Sequence, residues 1–187
     1  MSSLYESIKS WEFKPYRRMG VTIDEEMFYA KVLARFVDAL IPKRVLDLGC
    51  GNCLFTLVLK STFPKIEISS LDLWNDEMTI GDVKGYMKGV DANIIQNLFP
   101  LPFREGSFDL VYAPLYFYNV TRERRDELAG EVYRVVKPGS FAMIIDLEIV
   151  RNLRKSFMKV GFKEVNYYAN QGVFFSLMQK SAPSFSS

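Results

Sequence analysis

The stretch Val45-Leu-Asp-Leu-Gly-Cys-Gly-Asn-Cys53 decides how the rest of the chain is read. Arg44 to Leu48 is a short apolar run ended by Gly49, the pattern of a buried strand, and Leu54 to Lys60 continues as a helix. Strand, glycine turn and helix together place bare backbone and unpaired helix-start N–H groups beside a ligand. The turn is a poor dinucleotide fingerprint, because the third glycine of G-x-G-x-x-G is replaced by Leu54. Asp47, two residues before the first glycine, would repel a pyrophosphate and attract an ammonium or sulfonium group. The stretch therefore favours a cationic nucleoside.

Working outward, Asp24 to Leu40 carries Met27, Phe28, Val32, Leu33, Phe36, Val37 and Leu40 at helical spacing, and Pro42 stops it. Downstream, strands are predicted at Ile66 to Leu71, Ala92 to Gln96, Phe108 to Ala113 and Phe141 to Leu147. Helices are predicted at Asp76 to Lys88, broken by Gly81 and Gly85, at Arg122 to Val136, closed by Pro138-Gly139, and at Arg151 to Val160, capped by Gly161. Glu164 to Tyr168 and Val173 to Gln179 flank Asn170-Gln171-Gly172, a hairpin signal. The alternation predicts an α/β fold, a doubly wound and mostly parallel sheet closed by an antiparallel pair. Ligands of such sheets sit beyond the strand carboxyl ends.

The chain has 187 residues, 49% hydrophobic and 25% charged, and no repeat interrupts it, so one domain spanning 1–187 is expected. Within it, 1–40 is read as a helical N-terminal lid segment, 41–180 as the ligand-binding core and 181–187 as a flexible tail. With no histidine at all, Ser-His-Asp hydrolysis, Cys-His proteolysis and histidine-bound zinc are excluded. Cys50 and Cys53 alone cannot complete a four-ligand metal site, and no metal is expected. Few cysteines, no apolar leader and no membrane-length apolar run point to a cytoplasmic protein without a membrane partner. The net charge of +2 does not by itself indicate nucleic acid. The basic groups Lys14, Arg17 and Arg18, Arg122, Arg124 and Arg125, and Arg151, Arg154, Lys155 and Lys159 read as a solvated face before they read as an RNA track.

These motifs resemble the class I S-adenosylmethionine-dependent methyltransferases, in particular the small enzymes of the methyltransferase type 11 kind, from about Arg44 to Lys180. Val45 to Gly51 matches that family's first motif, and Ser-Leu-Asp72-Leu-Trp-Asn-Asp-Glu-Met78 its second-strand acid with a following helix. Leu101-Pro-Phe-Arg-Glu-Gly-Ser-Phe-Asp-Leu-Val111, Glu131-Val-Tyr-Arg-Val-Val-Lys-Pro-Gly139 and Gly161-Phe162 follow in the family's order. The resemblance implies a Rossmann-like seven-stranded sheet of order 3-2-1-4-5-7-6 with an antiparallel last strand. It implies S-adenosyl-L-methionine as cofactor, with Asp47, Gly49, Cys50 and Gly51 at its methionine end and Asp72 on both ribose hydroxyls. Leu73 and Trp74 would lie beside the adenine, Leu98 would offer it a backbone N–H, and Ala113 would line the site. Asn97 stands where the family has an adenine-binding aspartate, so an amide replaces a charge there.

The acceptor side is less determined. In Ala113-Pro-Leu-Tyr-Phe-Tyr-Asn119, Tyr118-Asn119 replaces the histidine pair of small family members, and Ala113 and Leu115 break the Asn-Pro-Pro-Tyr motif of amino-group methyltransferases. Aromatic residues from Tyr112 to Tyr118 either stack on a planar substrate or pack under the N-terminal helix. An activated methyl group needs chiefly an aligned nucleophile at ~3 Å and a dry site, so a base is optional. Tyr118, Asp146 and Glu148 are the candidates for that role. A small-molecule acceptor is favoured over RNA or protein. The alternatives are a non-catalytic nucleoside-binding or scaffold module and a nicotinamide-dependent oxidoreductase. Cys50-Gly-Asn-Cys53 also matches a redox C-x-x-C, though small residues at a crowded turn explain it more simply.

Overall fold

The computed structural model describes residues 21–74 and 77–182. Helix α1 (Ile23–Leu40) opens on a capping box in which Thr22 and Glu25 satisfy each other's backbone N–H groups. Then come β1 (Arg44–Leu48), α2 (Leu54–Thr62), β2 (Glu67–Asp72), α3 (Ile80–Tyr86), β3 (Asn93–Gln96) and β4 (Phe108–Pro114). The second half holds α4 (Arg122–Val135), β5 (Val136–Leu147), α5 (Arg154–Lys159), β6 (Phe162–Asn170) and β7 (Val173–Lys180). Among the described residues, no helix is long and apolar enough to cross a membrane.

The seven strands form one sheet of order β3-β2-β1-β4-β5-β7-β6, the order implied by the family resemblance. Only β7 runs against its neighbours: it is antiparallel to both β5 and β6, which leaves β6 pointing the same way as the rest. Gln171 and Gly172 both take positive φ between Asn170 and Val173, the two-residue hairpin geometry that turns the chain here. Both sheet faces are covered. Alternate residues of β1 show it: Val45 packs under α1 and α2, whereas Leu46 and Leu48 join the core beneath α4 and α5.

Three expectations shift. The helix over Asp76 to Lys88 shortens to Ile80–Tyr86, started by a Thr79–Asp82 capping box, with residues 75 and 76 outside the described set. The α4 helix ends at Val135, and Pro138-Gly139 lies inside β5 instead of closing the helix. The sheet captures the chain early there, since Val136 pairs with Phe108 and Ser107 N–H donates to Val135 O at 2.8 Å. The predicted helix from Arg151 divides into a 3-10 stretch, Glu148–Leu153, and the short α5. Residues 1–20 of the expected lid and 183–187 of the expected tail lie outside the described residues.

Two of the sequence motifs are bound to each other. Arg134, from the Lys-Pro-Gly segment, donates to Phe103 O at 2.6 Å and Leu101 O at 3.0 Å, while Glu131 accepts from Leu101 N–H at 2.8 Å. The Arg134 guanidinium, hydrogen-bonded to Glu131, holds that carboxyl below its ordinary value. The stability this pair contributes is therefore present near neutral pH and fades as pH falls through the lowered value. It fastens the segment that follows Asn97 and Leu98 at the carboxyl end of β3.

Candidate cofactor and acceptor site

The site is built where β1, β2 and β3 end side by side. At Gly49 (φ 72°) and Gly51 (φ 56°) the chain turns through the left-handed region, and Cys53 (φ 59°) repeats that conformation before α2. Gly49 N–H and Cys50 N–H both donate to Leu71 O, at 2.8 and 3.0 Å, which stitches the glycine turn to the end of β2. Asp72 follows at once. Its Oδ2 accepts from Gly51 N–H at 2.8 Å and its Oδ1 from Leu73 N–H at 2.7 Å. Each carboxylate oxygen has further lone-pair capacity, so the same group can accept from two more hydroxyls on the side away from the loop. Trp74, at φ 33°, donates its indole N–H to Gly51 O at 2.7 Å and locks the loop from beyond.

Asp47 lies beneath this turn. Its side chain is fully buried, and Oδ2 accepts from Thr56 Oγ1 at 2.7 Å and Tyr112 OH at 2.8 Å. Thr56 has one proton and gives it to Asp47, so Ser70 Oγ, 2.7 Å away, is the donor in the next link. Burial, reinforced by the Asp47 charge, pushes the Tyr112 phenol well above its ordinary value and keeps it a donor. The Cys50 and Cys53 sulfurs stand 2.6 Å apart, both fully buried, and burial raises the Cys50 thiol well above its usual value. This is the crowded-turn arrangement; a thiol so sealed lacks the thiolate character that redox exchange requires.

A pair that sequence reading missed ties the N-terminal helix to the loop. Glu26, 1% exposed, accepts from Asn52 Nδ2 at 2.9 Å, and Asn52 Oδ1 accepts from Leu54 N–H at 3.0 Å, capping the start of α2. The signal was present in part. Glu26 falls four and seven residues before Ala30 and Leu33, on the buried stripe of α1, where an acid requires a partner.

The remaining candidates divide between the end of β3 and the loop after β4. Leu73 is 59% exposed, with its carbonyl held by Gln96 Nε2 at 2.8 Å. Beside it, at the end of β3, Leu98 is buried, and the buried Asn97 Oδ1 has no hydrogen-bond partner among the described residues. Leading into the loop after β4, Ala113 is buried, and Leu115 N–H donates to Ile145 O at 2.6 Å. Tyr118 N–H donates to Asp146 Oδ2 at 3.1 Å and Leu147 N–H to Asp146 Oδ1 at 2.8 Å, so the structure brings Tyr118 and Asp146 together. Glu148 is half-buried, and its backbone N–H donates to Gly172 O in the hairpin. The aromatic run splits by face. Tyr112 enters the core under α1, Phe117 packs on Phe157 in the opposite core at 5.3 Å between ring centroids, and Tyr116 lies over the glycine turn. A Cβ built on Gly49 would stand 2.3 Å from the Tyr116 ring.

Of the seven described groups of the basic face, three are paired with an acid. Asp126 pairs with Lys159 at 2.8 Å, Glu127 with Arg124 at 3.0 Å and Glu164 with Arg154, whereas Lys14, Arg17 and Arg18 lie outside the described residues.

The sequence profile of the family described as "Methyltransferase domain" matches residues 46–144, more than half of the chain. A demethylmenaquinone methyltransferase of Thermus thermophilus is 30% identical over 106 residues, which is 56% of this chain and 47% of the relative. A malonyl-[acyl-carrier protein] O-methyltransferase of Methylococcus capsulatus is 29% identical over 136 residues, 70% of this chain and 48% of the relative. The chain thus spans about half the length of the curated relatives it matches. Among solved structures, a protein from Pyrococcus horikoshii superposes with TM-score 0.75 at 15% identity over 94% of this chain and 99% of that one. The N-methyltransferase NodS of Bradyrhizobium japonicum, in complex with S-adenosyl-L-homocysteine, gives TM-score 0.70 at 12% identity over 95% and 98%. These two likenesses show the shared α/β fold. The profile match across the strands that carry Asp47, Asp72 and the loop after β4 shows the lineage: the chain belongs to the methyltransferase domain family.

Proposed function

We propose that this chain binds S-adenosyl-L-methionine and transfers its methyl group to an acceptor, with a small molecule favoured over RNA or protein. The observation that carries the reading is Asp72, a carboxylate held by Gly51 N–H and Leu73 N–H at the ends of β1 and β2 and poised to accept two ribose hydroxyls. The buried Asn97 Oδ1, without a partner, supports it, since an adenine amino group would supply the missing donor. Leu73, Leu98 and Ala113 would line the nucleoside, and the backbone of Gly49, Cys50 and Gly51 would take the methionine end. Asp47 acts in this reading from beneath, its buried carboxylate fixing the turn through Thr56 and Tyr112. The cofactor supplies a methyl group already activated by its sulfonium. The chain's share is then to align the nucleophile and exclude water, with Tyr116 against the glycine turn and Tyr118 beside Asp146 bordering the acceptor. Asp146 and Tyr118, with Glu148 behind them, are the groups available to accept a proton from a hydroxyl acceptor.

A second reading, a nucleoside-binding module without turnover, draws on Asp146, both of whose oxygens already accept backbone N–H groups. The names of the curated relatives, which concern demethylmenaquinone and a carrier-bound malonyl group, support acceptors of metabolite type. Incubation with methyl-labelled S-adenosylmethionine and fractionated cell extract separates the readings. We expect label in the metabolite or lipid fraction. Label in RNA or protein would overturn the acceptor class, and cofactor binding with no transfer to any fraction would select the module.

A further inference from the structure

On the face of the sheet away from α1, a cleft of about 340 Å³ separates the start of α4 from α5. Its walls carry Arg122, Arg125, Lys155 and Lys159 against a single acid, Asp126, four cations to one carboxylate. Asp126 is matched by Lys159 at 2.8 Å, which leaves three cations in excess. Hydrogen bonds from Lys159 and Ser156, with the Arg122 charge nearby, hold the Asp126 carboxyl below its ordinary value, so the one acid of the cleft is already satisfied. A solvated basic helix face spreads its charges apart on a convex surface; here they converge on a concavity. Thr121, the N-cap of α4, makes no side-chain capping bond, so the positive end of that 14-residue helix adds to the field.

The cleft is also wired to the methyl-transfer site. Arg125 donates from Nε to Phe117 O at 3.1 Å and from Nη2 to Tyr118 O at 3.5 Å, and Tyr118 N–H donates to Asp146. One guanidinium thus lines the cleft and holds the loop that borders the acceptor. Both α4 and the stretch before α5 start beyond the carboxyl ends of their strands, the end at which Asp72 and the glycine turn lie.

We infer that this cleft is a binding site for a phosphate group, held by Arg122, Arg125 and Lys155, and that the phosphate belongs to the methyl acceptor. Planar guanidinium and ammonium donors converging at a helix start match a phosphate monoester in charge and hydrogen-bonding capacity. Occupancy brings a dianion beside Arg125 and so sets the loop carrying Tyr118. This deepens the proposed methyl transfer and rests on it for the acceptor, whereas the anion site itself does not.

The test titrates the full chain with phenyl phosphate and with inorganic phosphate, in parallel with S-adenosyl-L-homocysteine. The same titrations are run on an Arg122→Ala/Lys155→Ala double variant. We expect phenyl phosphate to bind at millimolar concentration or below and to weaken at least about tenfold in the variant, as loss of two charge-assisted contacts requires. Binding of the homocysteine nucleoside should not change. Labelled-methyl incorporation from a metabolite pool should fall after the pool is treated with a phosphomonoesterase. Incorporation unaffected by that treatment, with inorganic phosphate bound as tightly as phenyl phosphate, would replace the acceptor's phosphate by a free ion and overturn the assignment. No binding of either probe, or binding that the double variant leaves intact, would reduce the cleft to a solvated basic face. Phosphate binding without nucleoside binding would sink the methyl-transfer reading while the anion site stood.

Discussion

Replacing Asp72 by alanine is expected to weaken S-adenosyl-L-homocysteine binding by at least about 100-fold while leaving the chain folded. Two hydrogen bonds from the ribose to a carboxylate are worth about 1.5–3 kcal/mol each, so their joint loss predicts a fall in affinity of about 150-fold to 20,000-fold. The substitution also strips Gly51 N–H and Leu73 N–H of their acceptor, and Gly51 is half of the turn that would take the methionine end. Asp72→Asn is the informative companion. It keeps the shape and one acceptor oxygen but lacks the charge, and its affinity should fall between those of alanine and wild type. Calorimetric titration of both variants, with thermal unfolding as a check on folding, gives the result. An alanine variant within fivefold of wild type would mean that Asp72 is only a loop anchor.

Gly49→Ala should produce the second large effect, on stability as well as binding. The added Cβ would meet the Tyr116 ring at 2.3 Å, and the φ of 72° is one that an L side chain adopts only with strain. Strain of about 1–2 kcal/mol and overpacking of about 1–3 kcal/mol predict a loss of roughly 2–5 kcal/mol in denaturant unfolding. The Gly49→Ala/Tyr116→Ala pair isolates the clash, because removing the ring relieves the overpacking and leaves the backbone strain. Partial recovery of stability in the double variant is the expected pattern. A single variant as stable as wild type would show that the ring does not rest on the turn.

How much of this was legible in the chain follows from the range of each interaction. Val45 to Cys53 announced its strand, turn and helix because burial, glycine and helix start are local properties, and Asp72 was legible because it closes an apolar run in the same way. The start of β5 was hidden for a physical reason. Val136-Lys-Pro-Gly139 has the composition of a helix stop, but pairing of Val136 with Phe108, 28 residues earlier, turns the same residues into strand. Glu26 and Asn52 meet across 26 residues of chain, and no local pattern specifies that pairing, although an acid on a buried helix stripe asks for a partner. Asp47 was recognised as part of the site by its place before the glycines. Its orientation, down toward Thr56 and Tyr112, depends on which sheet face α2 covers and so on tertiary packing. The aromatic run from Tyr112 to Tyr118 divides for the same reason: successive residues leaving a covered strand enter opposite cores, and Tyr116 alone is placed over Gly49.

Two layers of support lie under the glycine turn. Hydroxyls from α2, β2 and β4 fix Asp47, while Glu26 of α1 fixes Asn52, so the elements around the loop converge on its shape before any ligand arrives. Such prior fixing reduces the ordering cost of binding. It also explains why so many polar groups are buried in a region otherwise built from Cys50, Cys53, Leu54 and Phe55.

The most direct test of the central claim is calorimetric titration of the intact chain with S-adenosylmethionine and S-adenosylhomocysteine, with NAD as the control. We predict micromolar binding of both nucleosides and none of NAD, whose pyrophosphate finds Leu54 in place of the third glycine and the buried Asp47 charge beneath the turn. Tight binding of NAD with neither nucleoside bound would contradict it and return the chain to the oxidoreductases.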